Sequence, residues 1–245
     1  MNPTAKLLSA LALAAAVACG PLSVSAAPAE QEAEPRKQTD LRAETPSADV
    51  QHIAAWAVHS GDHKGLPFII IDKVNARAVA FDRTGKLLQT TPVLIGMGVG
   101  DKFAPGVVDL DMHHTLPAQR ITPAGRFFAD EGRNLEGQTV LWIDYDAGIA
   151  LHKIPEKKTK QRRHERMVSP DPAQHRITYG CVNVPPAFYD RVVRAHFKAR
   201  GGIVYVLPDS APVQAVFKSY AVDPRPLFNV RQTRATTGSA PFERF

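Results

Sequence analysis

Cysteine is scarce in this sequence: the 245 residues contain two, Cys19 and Cys181. So few cysteines exclude a disulfide-stapled scaffold, which needs several pairs. Long apolar runs are scarce as well, since residues 7–18 form the one clear run and it is too short to span a bilayer. No glycine-rich phosphate loop lies between a strand and a helix, which disfavours a nucleotide-binding enzyme.

The first 26 residues are typical of an export signal. Lys6 supplies a positive charge ahead of the apolar run, and small residues at positions 24–26 suit cleavage after Ala26. Cleavage there would remove Cys19. The alternative is lipidation of Cys19 as an anchored N-terminus, but the leucine preferred three positions earlier is absent. Either way we expect a periplasmic or cell-envelope protein whose single pairable thiol is kept for its reactivity.

The charge of the chain indicates the kind of partner. The formal net charge is +6, and it becomes +5 without the signal because Lys6 is the one charged residue of the first 26. A basic protein could bind nucleic acid, but an export signal favours a polyanionic wall or outer-surface partner. We therefore expect no nucleic-acid partner. Because long apolar runs are scarce, we also expect no transmembrane segment after signal removal.

Short strand-like runs separated by turns dominate the middle of the chain. They predict a mainly β, antiparallel, sandwich-like fold. One prominent helix is predicted from Pro186, because proline suits a first helical turn and Gly201 and Gly202 supply a stop. A shorter helix is predicted over residues 48–58. The predicted strands are 68–71, 76–81, 87–95, 125–129, 139–144, 149–152, 181–184 and 203–207.

Cys181 follows Gly180 directly and precedes Asn183 by two residues. A glycine allows the backbone to approach a ligand closely, and the N–H groups around the cysteine could face an oxyanion. A thiol of ordinary pKa is about 3% ionised at pH 7, so catalysis would need a base or a positive neighbour. The alternative is a small buried side chain, which is what most unpaired cysteines are.

His152 is the best candidate for that base, because residues 149–152 predict a strand that ends on the imidazole. The alternative is an ordinary strand-end histidine bonded to backbone. His164 and His175 are rivals by sequence distance, but both lie in a polar, proline-interrupted segment.

Residues 66–208 resemble the catalytic domain of the L,D-transpeptidases, bacterial enzymes that remodel peptidoglycan. The family pattern is a strand-borne histidine, a loop, then Ser or Thr followed by His-Gly-Cys, an apolar residue and Asn or Arg. The matching residues here are His152 and Thr178-Tyr179-Gly180-Cys181-Val182-Asn183. The flanks agree in order: a hairpin at 66–95, a Thr-Pro-x-Gly-x-Phe segment at 122–127, the helix from Pro186 and a strand at 203–207.

The resemblance implies domains and roles. The domains would be a signal peptide at 1–26, a linker with a short helical segment at 27–65, the catalytic domain at 66–208 and a C-terminal extension at 209–245. Cys181 would be the nucleophile and His152 the general base. The backbone N–H groups of Tyr179, Gly180 and Cys181 would form the oxyanion hole, while Asn183, Thr178 and Arg176 would bind substrate. No metal or organic cofactor is implied.

Three departures from the family pattern bear on specificity. Tyr179 replaces a histidine, so any proton shuttling by that group is lost, although its phenol can still form hydrogen bonds. Lys153 follows the base, and because lysine cannot accept a hydrogen bond, a backbone carbonyl is expected to orient the ring. The loop at 153–177 is longer than usual by roughly ten residues. Its basic side chains predict either a solvated face or a lid that attracts stem-peptide carboxylates.

The function predicted from these residues is an exported cysteine transpeptidase that cross-links peptidoglycan stem peptides, with roles in cell-wall organisation and cell shape. The donor bond could be the usual one, giving 3,3-type cross-links, or L-Ala–diaminopimelate, giving the 1,3 type. One alternative is an L,D-carboxypeptidase or endopeptidase, in which water resolves the same thioester. The other is a non-catalytic wall-binding protein that keeps the fold.

Overall fold

A computed structural model describes residues 45–103, 106–107, 114–155 and 161–228. The predicted signal peptide with Cys19, the lysines at 157, 158 and 160, and the last residues of the C-terminal extension lie outside this part of the chain. Within the described ranges, ten strands carry the fold: β1 (Phe68–Asp72), β2 (Arg77–Phe81), β3 (Leu87–Pro92), β4 (Ile95–Gly96), β5 (Gly125–Arg133), β6 (Thr139–Asp144), β7 (Ile149–Lys153), β8 (Arg176–Thr178), β9 (Val182–Val184) and β10 (Gly202–Val206).

The helices are short except at two places. The first is α1 (Ala48–Ser60). The second is a continuous helical segment formed by α3 (Pro186–Phe188), a π-helical turn (Tyr189–Val193) and α4 (Arg194–Phe197). The remaining helices are α2 (Arg163–Met167), α5 (Val213–Phe217) and α6 (Arg225–Phe228), with 3-10 turns at Pro117–Gln119 and Pro172–His175. No helix in the described ranges is long and apolar enough to cross a membrane.

The strands form one large sheet and one small one. The large sheet has eight strands in the order β3-β2-β1-β10-β5-β6-β7-β9, and β4 pairs with β8 in the other. The fold is therefore mainly β, as predicted, but the large sheet is mixed. The pairs β1–β10, β7–β9 and β4–β8 are parallel. A purely antiparallel arrangement is not what forms, because the long connection from β7 to β9 returns the chain in the same direction and β10 enters the sheet beside β1 in the direction of β1.

Apolar side chains cover both faces of this sheet. Alternate residues of β1 point to opposite sides: Phe68 and Ile70 pack with α1 and α5, whereas Ile69 and Ile71 pack with the helical segment at 186–197. This explains why all five residues of β1 are buried. The side chains that pack on the sheet thus come from residues on both sides of 66–208, including Ile53 and Phe217.

Two predicted strands differ in extent. The run at 87–95 is split, because β3 ends at Pro92 and the chain then turns before β4; proline has no N–H with which to continue a ladder. The run that was expected to end at Ala129 continues as β5 to Arg133, where it pairs with β6. The helix predicted over 48–58 is α1, closed by Gly61 at φ 69°.

A candidate cysteine–histidine active site

Two adjacent parallel strands bring the candidate residues together. His152 of β7 is the register partner of Asn183 of β9, and Leu151 is the partner of Val182. Cys181 directly precedes β9, two residues before Asn183. Parallel pairing thus places the predicted base beside the strand that the predicted nucleophile leads into.

The His152 ring is held at both nitrogens. Nδ1 lies 2.8 Å from the carbonyl oxygen of Lys153, and Nε2 lies 3.1 Å from the amide nitrogen Nδ2 of Asn183. The Lys153 side chain instead pairs with Asp190 at 2.7 Å. A backbone carbonyl therefore orients the ring, in the way that the lysine at position 153 led us to expect.

Cys181 opens onto a cavity. The residue is half-buried, and its Sγ lies 3.6 Å from the carbonyl oxygen of Gly148. The cavity has a volume of about 300 Å³, enough for part of a peptide. Its walls carry aromatic, cationic and acidic groups, including Phe103, Arg120, Tyr145, Asp146, Tyr179 and Cys181.

The turn before the cysteine is stabilised by Thr178. Its hydroxyl donates to the carbonyl oxygen of Cys181 at 2.7 Å and accepts from the N–H of Gly180 at 3.1 Å. Thr178 was predicted to bind substrate, and the structure gives it this local role. The Gly180 N–H, one of three predicted for an oxyanion hole, is directed at the Thr178 hydroxyl in this state.

Gly180 is required by its surroundings. Its φ is +131°, and a Cβ placed there would lie 2.7 Å from the carbonyl oxygen of Ile121 and 2.7 Å from Cδ1 of Ile149. Thr122 fixes the same loop, because its buried hydroxyl donates to the Gly180 carbonyl at 2.8 Å and accepts from the Gly96 N–H at 2.9 Å. The sequence placed Thr122 in a family-like segment but gave no sign of this contact.

Tyr179, which departs from the family pattern, is covered by an arginine. The guanidinium carbon of Arg120 lies 3.9 Å from the centre of the Tyr179 ring, a cation–π arrangement. Arg120 is held in place by the carbonyl oxygen of Thr115, 2.8 Å from Nη2. Sequence reasoning missed Arg120, because nothing local links a residue in the 115–121 segment to Tyr179.

A second arginine, Arg163, is more deeply buried than the sequence predicted. The basic loop was expected to be solvated or lid-like, yet Arg163 of α2 is 5% exposed. For this side chain the solvated-face interpretation is wrong. Its guanidinium donates to Oδ1 of Asn183 and to Oε1 of Gln161, the latter at 2.7 Å. Burial lowers the pKa of Arg163, and the negative charges that Cys181 and Tyr179 can carry oppose that lowering.

Arg176, also predicted to bind substrate, lies elsewhere. It does not line the cavity. Its guanidinium pairs with Asp209 at 2.6 Å and donates to the carbonyl oxygen of Gly98 at 3.0 Å. Arg176 thus ties the small sheet to the segment that follows β10.

The rival histidines are not at the cavity either. His175 is buried, with Nδ1 2.8 Å from the carbonyl oxygen of Val93 and Nε2 3.0 Å from that of Ser169. His164 is exposed on α2. Within the described ranges, no three His, Cys, Asp or Glu side chains are grouped as a metal site.

Comparison with known proteins gives distant structural neighbours. No family model and no curated protein matches the sequence. One solved structure that is similar is an L,D-transpeptidase from Mycobacterium smegmatis, with a TM-score of 0.34 and 17% identity. A second is an LD transpeptidase in complex with imipenem, with a TM-score of 0.33 and 15% identity. Each match covers 58% of this chain and 58% of the other, so this chain spans less than two thirds of either neighbour.

Proposed function

We propose that this protein is an exported cysteine transpeptidase that cross-links peptidoglycan through a thioester on Cys181. The observation that carries the proposal is the arrangement of His152. A backbone carbonyl accepts from Nδ1, so Nε2 is the basic nitrogen. That nitrogen faces the strand that Cys181 leads into, and the thiol opens onto a cavity.

Each step of the proposed reaction has a group to carry it. Once Nε2 of His152 is released from the Asn183 amide, it accepts the thiol proton. The thiolate attacks a stem-peptide carbonyl, and the tetrahedral intermediate collapses to a thioester when His152 returns its proton to the leaving amine. A diaminopimelate amine of a second stem then attacks the thioester. It forms the new amide, and its proton passes through His152 to the released cysteine.

The donor bond in this proposal is the one between L-Ala and diaminopimelate, which gives 1,3-type cross-links. One feature of the cavity and one buried contact support a shifted donor. Tyr179, stacked under Arg120, presents a bulkier and differently charged wall than a histidine would. The enlarged loop delivers Arg163 next to Asn183, the residue expected to contact the donor. Tyr179 and Arg120 line the cavity, whereas Arg163 and Asn183 are buried.

Muropeptide analysis tests this proposal. Sacculi are incubated with the purified protein or with Cys181→Ala, digested with a muramidase and analysed by mass spectrometry. We expect new dimers from the wild type alone, with fragmentation showing L-Ala joined to diaminopimelate. Shortened stems without dimers would indicate a hydrolase. Identical profiles from both proteins would contradict catalysis and favour a wall-binding role.

A further inference from the structure

The cavity at Cys181 has one cationic and one anionic side chain in its wall, Arg120 and Asp146. Among the described residues, neither forms a salt bridge, with the other or with a third side chain. The acceptors of the Arg120 guanidinium are neutral groups of Thr115 and Met97. Arginine always carries its charge, and an exposed carboxyl group is ionised at neutral pH. The cavity therefore offers both signs of charge to a ligand.

Arg120 is held in a way that leaves part of its guanidinium for a ligand. Nε and Nη2 donate to the carbonyl oxygen of Thr115 at 3.1 and 2.8 Å, and Nη1 lies 3.5 Å from the sulfur of Met97. The backbone carbonyl of Arg120 accepts from the N–H of Gly98 at 3.0 Å. These side-chain contacts occupy three of the five N–H groups that a guanidinium has. The other two can donate to a carboxylate, which is the acceptor that arginine binds most strongly.

The two charged side chains come from the segments next to the thiol. The guanidinium carbon of Arg120 lies 3.9 Å from the ring centre of Tyr179, which precedes Cys181 by two residues. Two residues span at most about 7 Å of chain. Asp146 belongs to the turn between β6 and β7, and in the same turn the carbonyl oxygen of Gly148 lies 3.6 Å from Sγ of Cys181.

The size and the other walls of the cavity limit what it can hold. Its volume of about 300 Å³ is at the lower end of the range for ligand sites, which suits one residue of a peptide. Phe103 and Ile149 add apolar surface. A ligand that matches all of these features has a carboxylate, an ammonium group and a short apolar chain.

We propose that Arg120 and Asp146 are specificity-determining residues that bind a zwitterionic amino-acid centre, in which one carbon bears a carboxylate and an ammonium group. Arg120 binds the carboxylate through its two remaining N–H groups, and Asp146 binds the ammonium group. The choice of ligand rests on the proposed function, in which the centre is the free end of diaminopimelate in the stem that supplies the amine. Phe103 and Ile149 contact the methylene chain behind it.

Binding of free diaminopimelate tests this pair without any reaction. The ¹⁵N-labelled Cys181→Ala protein, in which no thioester can form, is titrated while its amide shifts are followed. Two analogues each lack one charge, since pimelate has no amines and cadaverine has no carboxylates. We expect diaminopimelate to bind at least about tenfold more tightly than either analogue, with shifts at Gly148 and Tyr179. Equal affinities for the three compounds, or no shifts at the cavity, would overturn the inference.

Variants in the same background should each lose discrimination against one analogue. Arg120→Gln should bind diaminopimelate about tenfold more weakly and no better than cadaverine, yet still better than pimelate. Asp146→Asn should show the reverse, a crossed pattern that general damage to the cavity would not produce. The matched controls are Arg133→Gln and Asp130→Asn, at exposed positions of β5 outside the cavity, and both should bind like the parent.

The role of Asp146 keeps the test decisive if Arg120→Gln does not fold, because Asp146 is exposed in a turn. An unchanged preference for diaminopimelate over pimelate in Asp146→Asn would then overturn the inference.

These measurements separate the inference from the proposed function. If diaminopimelate binds with the crossed pattern but sacculi yield no dimers, the inference stands and the proposed function fails. If the protein with Cys181 intact forms cross-links, and Arg120→Gln keeps the wild-type preference for diaminopimelate over cadaverine as the acceptor, the transpeptidase stands and the inference is overturned.

Discussion

At the residue scale, Gly180 sets the geometry of the cysteine turn. Its φ of +131° is strained for any side chain, and the space where a Cβ would lie is filled by Ile121 and Ile149. The glycine before the cysteine is therefore explained by conformation and by close packing together.

Gly180→Ala should abolish the reactivity of the thiol and lower the free energy of unfolding by about 2–4 kcal/mol, from strain plus overpacking. Gly137→Ala is the matched control, because Gly137 also has positive φ, +74°, but nothing within 4 Å of the added Cβ. Chemical denaturation and iodoacetamide kinetics measure the two effects. If both variants lose the same stability and the same thiol reactivity, the close contacts around Gly180 do not contribute to either.

At the element scale, Thr122 joins three segments. Its hydroxyl bonds the loop of Gly180 and the strand end at Gly96, and the residue itself precedes β5. The cysteine turn is thus fixed to β4 from outside its own strand.

Thr122→Val keeps the shape of the side chain but leaves a buried carbonyl and a buried N–H without their partner. We expect a loss of about 2–4 kcal/mol in the free energy of unfolding. We also expect a lower kcat for the proposed cross-linking reaction, because the turn before Cys181 is no longer held. Thr84→Val, which loses one exposed bond to Asp82, is the control and should cost less than about 1 kcal/mol. A stable Thr122→Val with normal kcat would mean that the turn holds without this link.

The sequence predicted elements better than it predicted contacts. Local periodicity and turn residues were enough for most strands and for the helix from Pro186, because these signals are local. The parallel pairing of β7 with β9 depends on the path of a long loop, which no local pattern encodes. For the same reason Cys181 and His152 were recognisable by residue type, whereas Arg163 and Arg120 were not, since arginines in loops are usually solvated.

At the scale of the whole molecule, a buried charge network joins distant segments. Lys73, 2% exposed, lies 3.2 Å from Asp101 and 3.3 Å from Asp209, and Asp209 also pairs with Arg176. Burial alone would raise the pKa of Asp101. Backbone hydrogen bonds from Asp209 and Ala211, with the Ser210 hydroxyl and Lys73, outweigh it and hold the pKa well below its usual range.

The lowered pKa of Asp101 predicts the direction in which stability changes with pH. A carboxyl with a depressed folded pKa stabilises the protein above its unfolded pKa, near ~4, and this contribution is lost as pH falls through the folded value. Asp101→Asn should therefore be less stable than the wild type at pH 6–7, and the difference should shrink below about pH 4. Denaturation as a function of pH measures it, with the exposed Asp130→Asn as control. If the free energies of unfolding of Asp101→Asn and the wild type differ by the same amount at every pH, the account is contradicted.

Arg176 can be tested in the same network. If its main partner is Asp209, Arg176→Met should lower the free energy of unfolding by about 1–3 kcal/mol, since Asp209 keeps Lys73 as a partner, and should leave KM nearly unchanged. Arg133→Met, at an exposed position of β5, is the control. A raised KM with unchanged stability would instead support the substrate-binding role predicted from the family resemblance.

The central claim is that Cys181 forms a thioester with a stem peptide, and the mass of the intact protein tests it most directly. The purified protein and Cys181→Ala are mixed with monomeric muropeptides, quenched in acid and weighed by mass spectrometry. We expect an adduct on the wild type, mapped to Cys181, whose mass corresponds to an acyl group ending at L-Ala. No adduct, or one retained by Cys181→Ala, would contradict the account.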